Sequence, residues 1–99
     1  MNEKLRDRTV DRLFATILEL RDAEECYAFF EDLCTIAEIK AMAQRLEVAE
    51  LLNSGMTYAD ISASTGASTA TISRVNRALH YGADGYRKLM ERFGEKERT

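Results

Sequence analysis

Apolar residues recur close to the 3.6-residue period along most of the chain, which predicts an all-α protein. From 3 to 21, Leu5, Val10, Leu13, Phe14, Ile17, Leu18 and Leu20 alternate with Arg6, Asp7, Arg8, Asp11 and Arg12. That pattern predicts one amphipathic helix of about five turns. Asp22 ends it or caps a shorter helix over 23–33, with Tyr27, Phe30 and Leu33 on one face and Phe29 beside them. Thr35 opens a third helix, and Glu38 three residues on completes a capping box. This helix runs to about Asn53 and is apolar on much of its circumference (Ile36, Ile39, Met42, Leu46, Val48, Ala49, Leu51, Leu52), which predicts a central place in the domain. Gly55 ends it. A last helix over 84–93 begins at Asp84, carries Tyr86, Leu89, Met90 and Phe93 as one stripe, and is expected to stop at Gly94, with a frayed tail beyond.

Between these elements lies the most distinctive stretch, 57–79, TYADISASTGASTATISRVNRAL. It reads as helix, tight turn, helix. Thr57 and Ser68 are N-cap residues, and Gly66 supplies the positive φ that a sharp turn needs. Counting from Tyr58, Ile61 is fourth, Ser62 fifth, Gly66 ninth, Ile72 fifteenth and Val75 eighteenth. Ile61, Ile72 and Val75 are expected to point into the angle between the helices, and Ser62 to stay small where they cross. A helix-turn-helix of this kind lays its second helix in the major groove of DNA. That helix offers Ser68, Thr69, Ala70, Thr71, Ser73, Arg74 and Arg77, with no acid from Ala67 to Ala83. Hydroxyls can donate to phosphates, methyls can touch thymine, and arginine can read guanine or pair with phosphate. The bland alternative is a two-helix piece of a helical core with solvated hydroxyls. A plain surface helix, however, would carry Glu, Lys and Gln rather than a run of poor helix formers.

Ninety-nine residues make one domain, 1–99, with no repeats. At this size a chain buries roughly 60–65% of its unfolded surface, so a lone monomer is modestly stable. Tyr27, Phe29 and Phe30 either fill the domain's own core or join a second subunit, and the short apolar first third favours the second subunit. The net charge of −3 argues against a general nucleic-acid coat, but it is unevenly placed. Residues 1–56 hold 7 basic and 12 acidic side chains, a balance of −5, whereas 57–99 hold 7 and 5, a balance of +2. The second half is expected to face DNA. Cys26 and Cys34 lack metal-site spacing and are expected to be buried free thiols, as suits a reducing cytoplasm. No apolar run approaches the ~18 residues of a membrane span, and no leader pattern opens the chain. A single histidine, His80, stands beside no evident nucleophile, and no phosphate loop or metal spacing occurs, so no enzyme is expected.

LLNSGMT (Leu51–Thr57) and GASTATISR (Gly66–Arg74) resemble the helix-turn-helix of the Trp repressor superfamily. The wider CTIAEIKAMAQRLEVAELL (Cys34–Leu52) and TGASTATISRVNRALHYGADGY (Thr65–Tyr86) resemble its YerC/YecD-type branch. The resemblance implies an all-α, six-helix fold and an intertwined homodimer, with 1–54 as dimerisation helices, 57–79 as the reading head and 84–93 as the C-terminal helix. It adds Tyr58, Ala59 and Ser62 of the first reading-head helix to the DNA contacts. The Trp repressor has longer polar and basic groups at those positions, so fewer phosphate contacts are implied here. It also implies a small-molecule corepressor held by Thr35, Arg45 and Arg74, an arginine fork being suited to a carboxylate. Ion pairs of Arg45 and Arg74 with Glu47, Glu50 or phosphate are the alternative. Val75 replaces the glycine that borders the indole slot of the Trp repressor, which argues against tryptophan, so the protein is expected to have no cofactor and to be either ligand-free or open to something smaller. The expected function is a cytoplasmic, homodimeric transcriptional regulator, a repressor, on a pseudo-palindromic double-stranded operator. The alternative is a helical dimeric adaptor that binds a protein partner rather than DNA.

Overall fold

The computed structural model describes residues 2–98. After a short 3-10 turn at Glu3–Leu5 come α1 (Arg8–Ile17), α2 (Ala23–Leu33), α3 (Ile36–Asn53), α4 (Tyr58–Thr65), α5 (Thr69–Tyr81) and α6 (Gly85–Arg98). The described residues form six helices and no strand. They divide into two compact units, Met1–Ile39 and Lys40–Thr99.

In the first unit the single helix expected over 3–21 is broken. Asp7 takes extended backbone angles, φ −146° and ψ 172°, and its carboxylate accepts from the Val10 amide at 2.8 Å and the Thr9 hydroxyl at 2.7 Å. An aspartate that bonds the backbone ahead of it starts a helix afresh rather than continuing one. At the other end α1 runs out at Leu18, where Glu19 and Leu20 donate to the carbonyls of Thr16 and Ile17, a tightened last turn. Asp22 then caps α2, accepting from the Glu25 amide at 2.9 Å, and Glu25 reaches back to the Arg21 amide at 2.9 Å. The box at the head of α3 is reciprocal: the Thr35 amide donates to Glu38 at 2.8 Å, and the Glu38 amide to the Thr35 hydroxyl at 3.1 Å. Phe29 and Phe30 meet edge to face, their ring centres 5.5 Å apart. Even so, neither α1 nor α2 has a buried residue. Leu18 is 83% exposed and Tyr27 73%. Both cysteines are free thiols, but Cys26 is exposed and Cys34 half-buried, against the expectation that both are buried.

The second unit holds the core. Val48 and Ala49 of α3, Ile61 of α4, Ala67 of the turn, and Ile72 and Val75 of α5 form one buried cluster. Leu51, Leu52, Met56, Tyr86 and Met90 pack against it. The burial within α3 is confined to its last turns, since Ile36, Met42 and Leu46 are exposed. Two helix ends differ from expectation. Helix α5 continues past Leu79 to Tyr81, because nothing before Gly82 breaks its hydrogen bonding. Helix α6 passes through Gly94 to Arg98. A glycine ends a helix only when the backbone leaves helical angles there, as it does at Gly66 (φ +75°, ψ 3°) and at Gly82 (φ −89°, ψ −150°). Otherwise it costs about 1 kcal/mol, which good helix formers such as Glu95 and Lys96 offset. Asp84 stands at the head of α6 as expected, its carbonyl accepting from the Lys88 amide at 3.0 Å, although its φ is +66°.

These contacts set expectations of two kinds, the first for stability. In urea unfolding, Ile72→Ala is expected to lower stability by about 2–5 kcal/mol through a cavity under α5. Gly66→Ala is expected to cost only the backbone strain of about 1–2 kcal/mol, because an added β-carbon at its φ of +75° would touch nothing within 4 Å. The second concerns pH. The Val10 amide, and next the Thr9 hydroxyl, hold the Asp7 carboxyl below its usual value, and the amide and hydroxyl of Thr35 do the same for Glu38. A carboxyl lowered on folding stabilises the fold above the ordinary carboxylate range, and that support is lost as pH falls through the lowered value. Acidification should therefore release the Val10 and Thr35 amides, as read by NMR shifts. Asp7→Asn, which keeps a capping oxygen, should remove the pH dependence at Val10.

Candidate nucleic-acid interface

The turn between α4 and α5 is built by hydroxyls and one glycine. Thr57 caps α4 by accepting from the Asp60 amide at 3.2 Å. At its end the Thr65 hydroxyl donates to the Ile61 carbonyl at 2.7 Å and accepts from the Ala67 amide at 3.1 Å. Gly66 takes φ +75° and donates to the Ser62 carbonyl at 2.9 Å. The Ser62 hydroxyl donates across the turn to the Ala67 carbonyl at 2.9 Å. The Ser62 hydroxyl thus holds the turn shut. Ser68 then caps α5, accepting from the Thr71 amide at 3.1 Å while its hydroxyl donates to the Thr71 hydroxyl at 3.1 Å.

Ile61 and Ile72 are fully buried and Val75 is 4% exposed, as the spacing requires. With Ile72, Val75 and Leu79 facing inward, the helical period places Ala70, Ser73, Arg74 and Arg77 on the opposite face. All four are exposed, and none of their side chains has a hydrogen bond or ion pair within the described residues. Thr69 is also exposed. Thr71 is half-buried and joined to Ser68. On α4, Tyr58 and Ala59 are exposed and Ser62 is half-buried. The ten residues expected from the sequence thus fall into an open set and a set of three hydroxyls, those of Ser62, Ser68 and Thr71, that already have partners in the turn or cap.

One positioning residue escaped the sequence reading. The Gln44 side chain of α3 donates to the Thr65 carbonyl at 3.2 Å, fastening the turn to the helix beneath it. Its signal was a polar residue one turn before buried Val48, on the same face. At the far end of α5, the His80 ring nitrogen Nδ1 donates to the Asn76 carbonyl at 2.9 Å, and the ring lies 6.3 Å from that of Tyr81.

The three residues implied for an effector fall in different units. Thr35 has its amide and hydroxyl engaged in the capping box of the first unit. Arg45 and Arg74 lie exposed in the second unit without an ion pair among the described residues, so pairing with Glu47 or Glu50 is not seen. Val75 belongs to the core cluster. A separate apolar groove of about 1380 Å³ runs between α3 and α6, lined chiefly by Leu46, Tyr86, Leu89, Met90 and Phe93. No helix among the described residues is long and apolar enough to cross a membrane. No cluster of metal-ligating side chains occurs among them.

Comparison with known proteins places this geometry in context. The family model for the Trp repressor protein matches residues 8–94. The uncharacterized protein YerC of Bacillus subtilis (strain 168) is 58% identical over 95 residues, spanning 96% of this chain and 91% of YerC. The crystal structure of a TrpR-like protein from Eubacterium eligens ATCC 27750 superposes with a TM-score of 0.91 at 57% identity, covering 94% of this chain and 96% of that one. A Trp repressor candidate from Staphylococcus aureus superposes with a TM-score of 0.90 at 52% identity, covering 93% and 92%. A six-helix chain with a capped, hydroxyl-locked helix-turn-helix, matched by that model over nearly its whole length, belongs to the Trp repressor family of DNA-binding helix-turn-helix regulators.

Proposed function

We propose that this protein is a sequence-specific transcriptional repressor that binds double-stranded DNA as a homodimer in the cytoplasm. The observation that carries the reading is the outward face of α5. Ala70, Ser73, Arg74 and Arg77 stand exposed and unpartnered while the inward face is locked into the core. Exposed guanidinia without ion pairs are suited to phosphates or guanine, and small neighbours let the helix come close to the base edges. Tyr58 and Ala59 at the start of α4 and Thr69 beside the α5 stripe complete the proposed contact surface. Ser62, Ser68 and Thr71 shape it from within.

The dimer rests on a second observation. No residue of α1 or α2 is fully buried, and Phe14 at 54% exposure, Leu18 at the end of α1 at 83% and Tyr27 at 73% stand largely open. Side chains of that size left in water give no hydrophobic return for the ordering of the chain. A second copy is the proposed cover. Two-fold symmetry then sets the reading helices about one DNA turn apart, roughly 34 Å, and the operator becomes a pseudo-palindrome.

Genomic-fragment selection with the purified protein at moderate salt tests the reading. It should return a pseudo-palindrome, and failure to enrich any sequence would overturn it. Parallel selections with an amino-acid pool test for an effector at Thr35, Arg45 and Arg74. Tryptophan alone should change nothing, given the valine at position 75. Arg74→Ala and Arg77→Ala should each weaken binding to all sequences and reduce the dimer's salt slope by about 1 for every phosphate left without its arginine. Titrations at several salt concentrations read both effects.

A further inference from the structure

The reading face has an unusual chemistry. From Ala67 to Ser73 there is no arginine, lysine, asparagine, glutamine, aspartate or glutamate. Those are the side chains that read guanine, adenine or cytosine through hydrogen bonds at base edges. The first long polar group on the outward stripe is Arg74, in the second turn of α5. Two of the hydroxyls in this stretch face each other: Ser68 donates to Thr71 at 3.1 Å and accepts from the Thr71 amide at 3.1 Å. At the centre of the outward face, within the first turn, stands the methyl group of Ala70, exposed and unable to hydrogen-bond.

In a helix-turn-helix the N-terminal part of the second helix meets the base edges. The major groove offers an apolar side chain one complementary feature, the C5-methyl group of thymine. We infer that Ala70 is a specificity-determining residue that reads a thymine methyl in each half-site, and that Thr71 is a positioning residue that fixes the first turn through Ser68. This rests on the DNA-binding reading above and assigns roles within it. The Ser68–Thr71 pair holds the helix start rigid, so the Ala70 methyl meets the groove in one place. A larger side chain at position 70 would hold the backbone away from the bases.

The test uses the full-length protein and the operator recovered by selection. Each thymine is replaced in turn by deoxyuridine, which removes the methyl and keeps every hydrogen-bonding group. One thymine per half-site should stand out, its replacement weakening binding roughly fourfold, the effect of one buried methyl. In Ala70→Gly and Ala70→Ser the same replacement should have no further effect. The serine variant keeps the helix if the glycine variant loosens it. Thr69→Ser, which removes the other exposed methyl of the first turn, should leave the uridine effect intact. Thr71→Ser should leave the uridine profile unchanged, whereas Thr71→Val should weaken binding to all sequences alike. A specifically bound operator that is indifferent to uridine at every thymine overturns the inference while leaving the DNA-binding reading standing. So does a uridine effect that survives both Ala70 variants or disappears in Thr69→Ser. Recovery of no operator overturns the DNA-binding reading and this inference together.

Discussion

The structure depends on one interlock. Ile61 from α4 and Ile72 and Val75 from α5 close on Val48 and Ala49 of α3, with Ala67 in the turn between. A core of six buried residues fixes the angle between two short helices that would be marginal alone, since helices of eight and thirteen residues take most of their stability from packing. The turn is fixed independently by the left-handed Gly66, the Ser62 bond to the Ala67 carbonyl and the Gln44 bond to the Thr65 carbonyl. Apolar packing sets the crossing, and directional bonds set where α5 begins. Both are required before a face of four small or flexible side chains can be presented to a ligand in one orientation.

Most of this reading head was legible in the sequence because its determinants are local. Thr57, Gly66 and Ser68 act on backbone within three or four residues of themselves, and the isoleucines follow the helical period. The head of α3 was legible for the same reason, through Thr35 and Glu38. The failures share a cause too. An unbroken apolar pattern over 3–21 concealed a helix start at Asp7, because periodicity does not record whether an acidic side chain bonds its own backbone ahead. By residue type alone Gly94 is a stop, whereas termination depends on the backbone angles the chain adopts, and α6 runs through Gly94 to Arg98. Gln44 left only the trace of a polar residue one turn before Val48, because its partner, Thr65, is 21 residues away.

The roles within the reading face needed coordinates for a different reason. In the sequence Thr69, Thr71 and Ser73 are equivalent hydroxyls, and only Ser68 is set apart, as a cap. Three-dimensional geometry separates them, because Ser68 and Thr71 satisfy one another while Thr69 and Ser73 remain open. A hydroxyl spent on a cap still has acceptor capacity, but its orientation is fixed by the helix start, and any change to it propagates to the whole first turn. Mutations at such positions therefore alter affinity through the scaffold, and their effects should not depend on which base lies opposite.

The electrostatics lead to the same emphasis on shape. The first 56 residues carry a balance of −5, and the outward stripe of α5 contributes only Arg74 and Arg77 as cations. At physiological salt, fields decay over about 8 Å, so acids beyond that range neither help nor strongly oppose a local contact. What an acidic chain lacks is a general attraction to the phosphate backbone, which grows with each cation brought to a phosphate. Under the proposed DNA-binding reading, a head with two arginines on its outward stripe would release few counterions and gain little affinity for DNA of arbitrary sequence. Discrimination under that reading would come from close packing of methyl and hydroxyl groups against base edges. Such contacts lose their value with displacements of about an ångström. That is the physical reason such a sparse face would be paired with a helix-turn-helix held by a buried core, a left-handed glycine and hydroxyl bonds at both ends of α4 and at the start of α5.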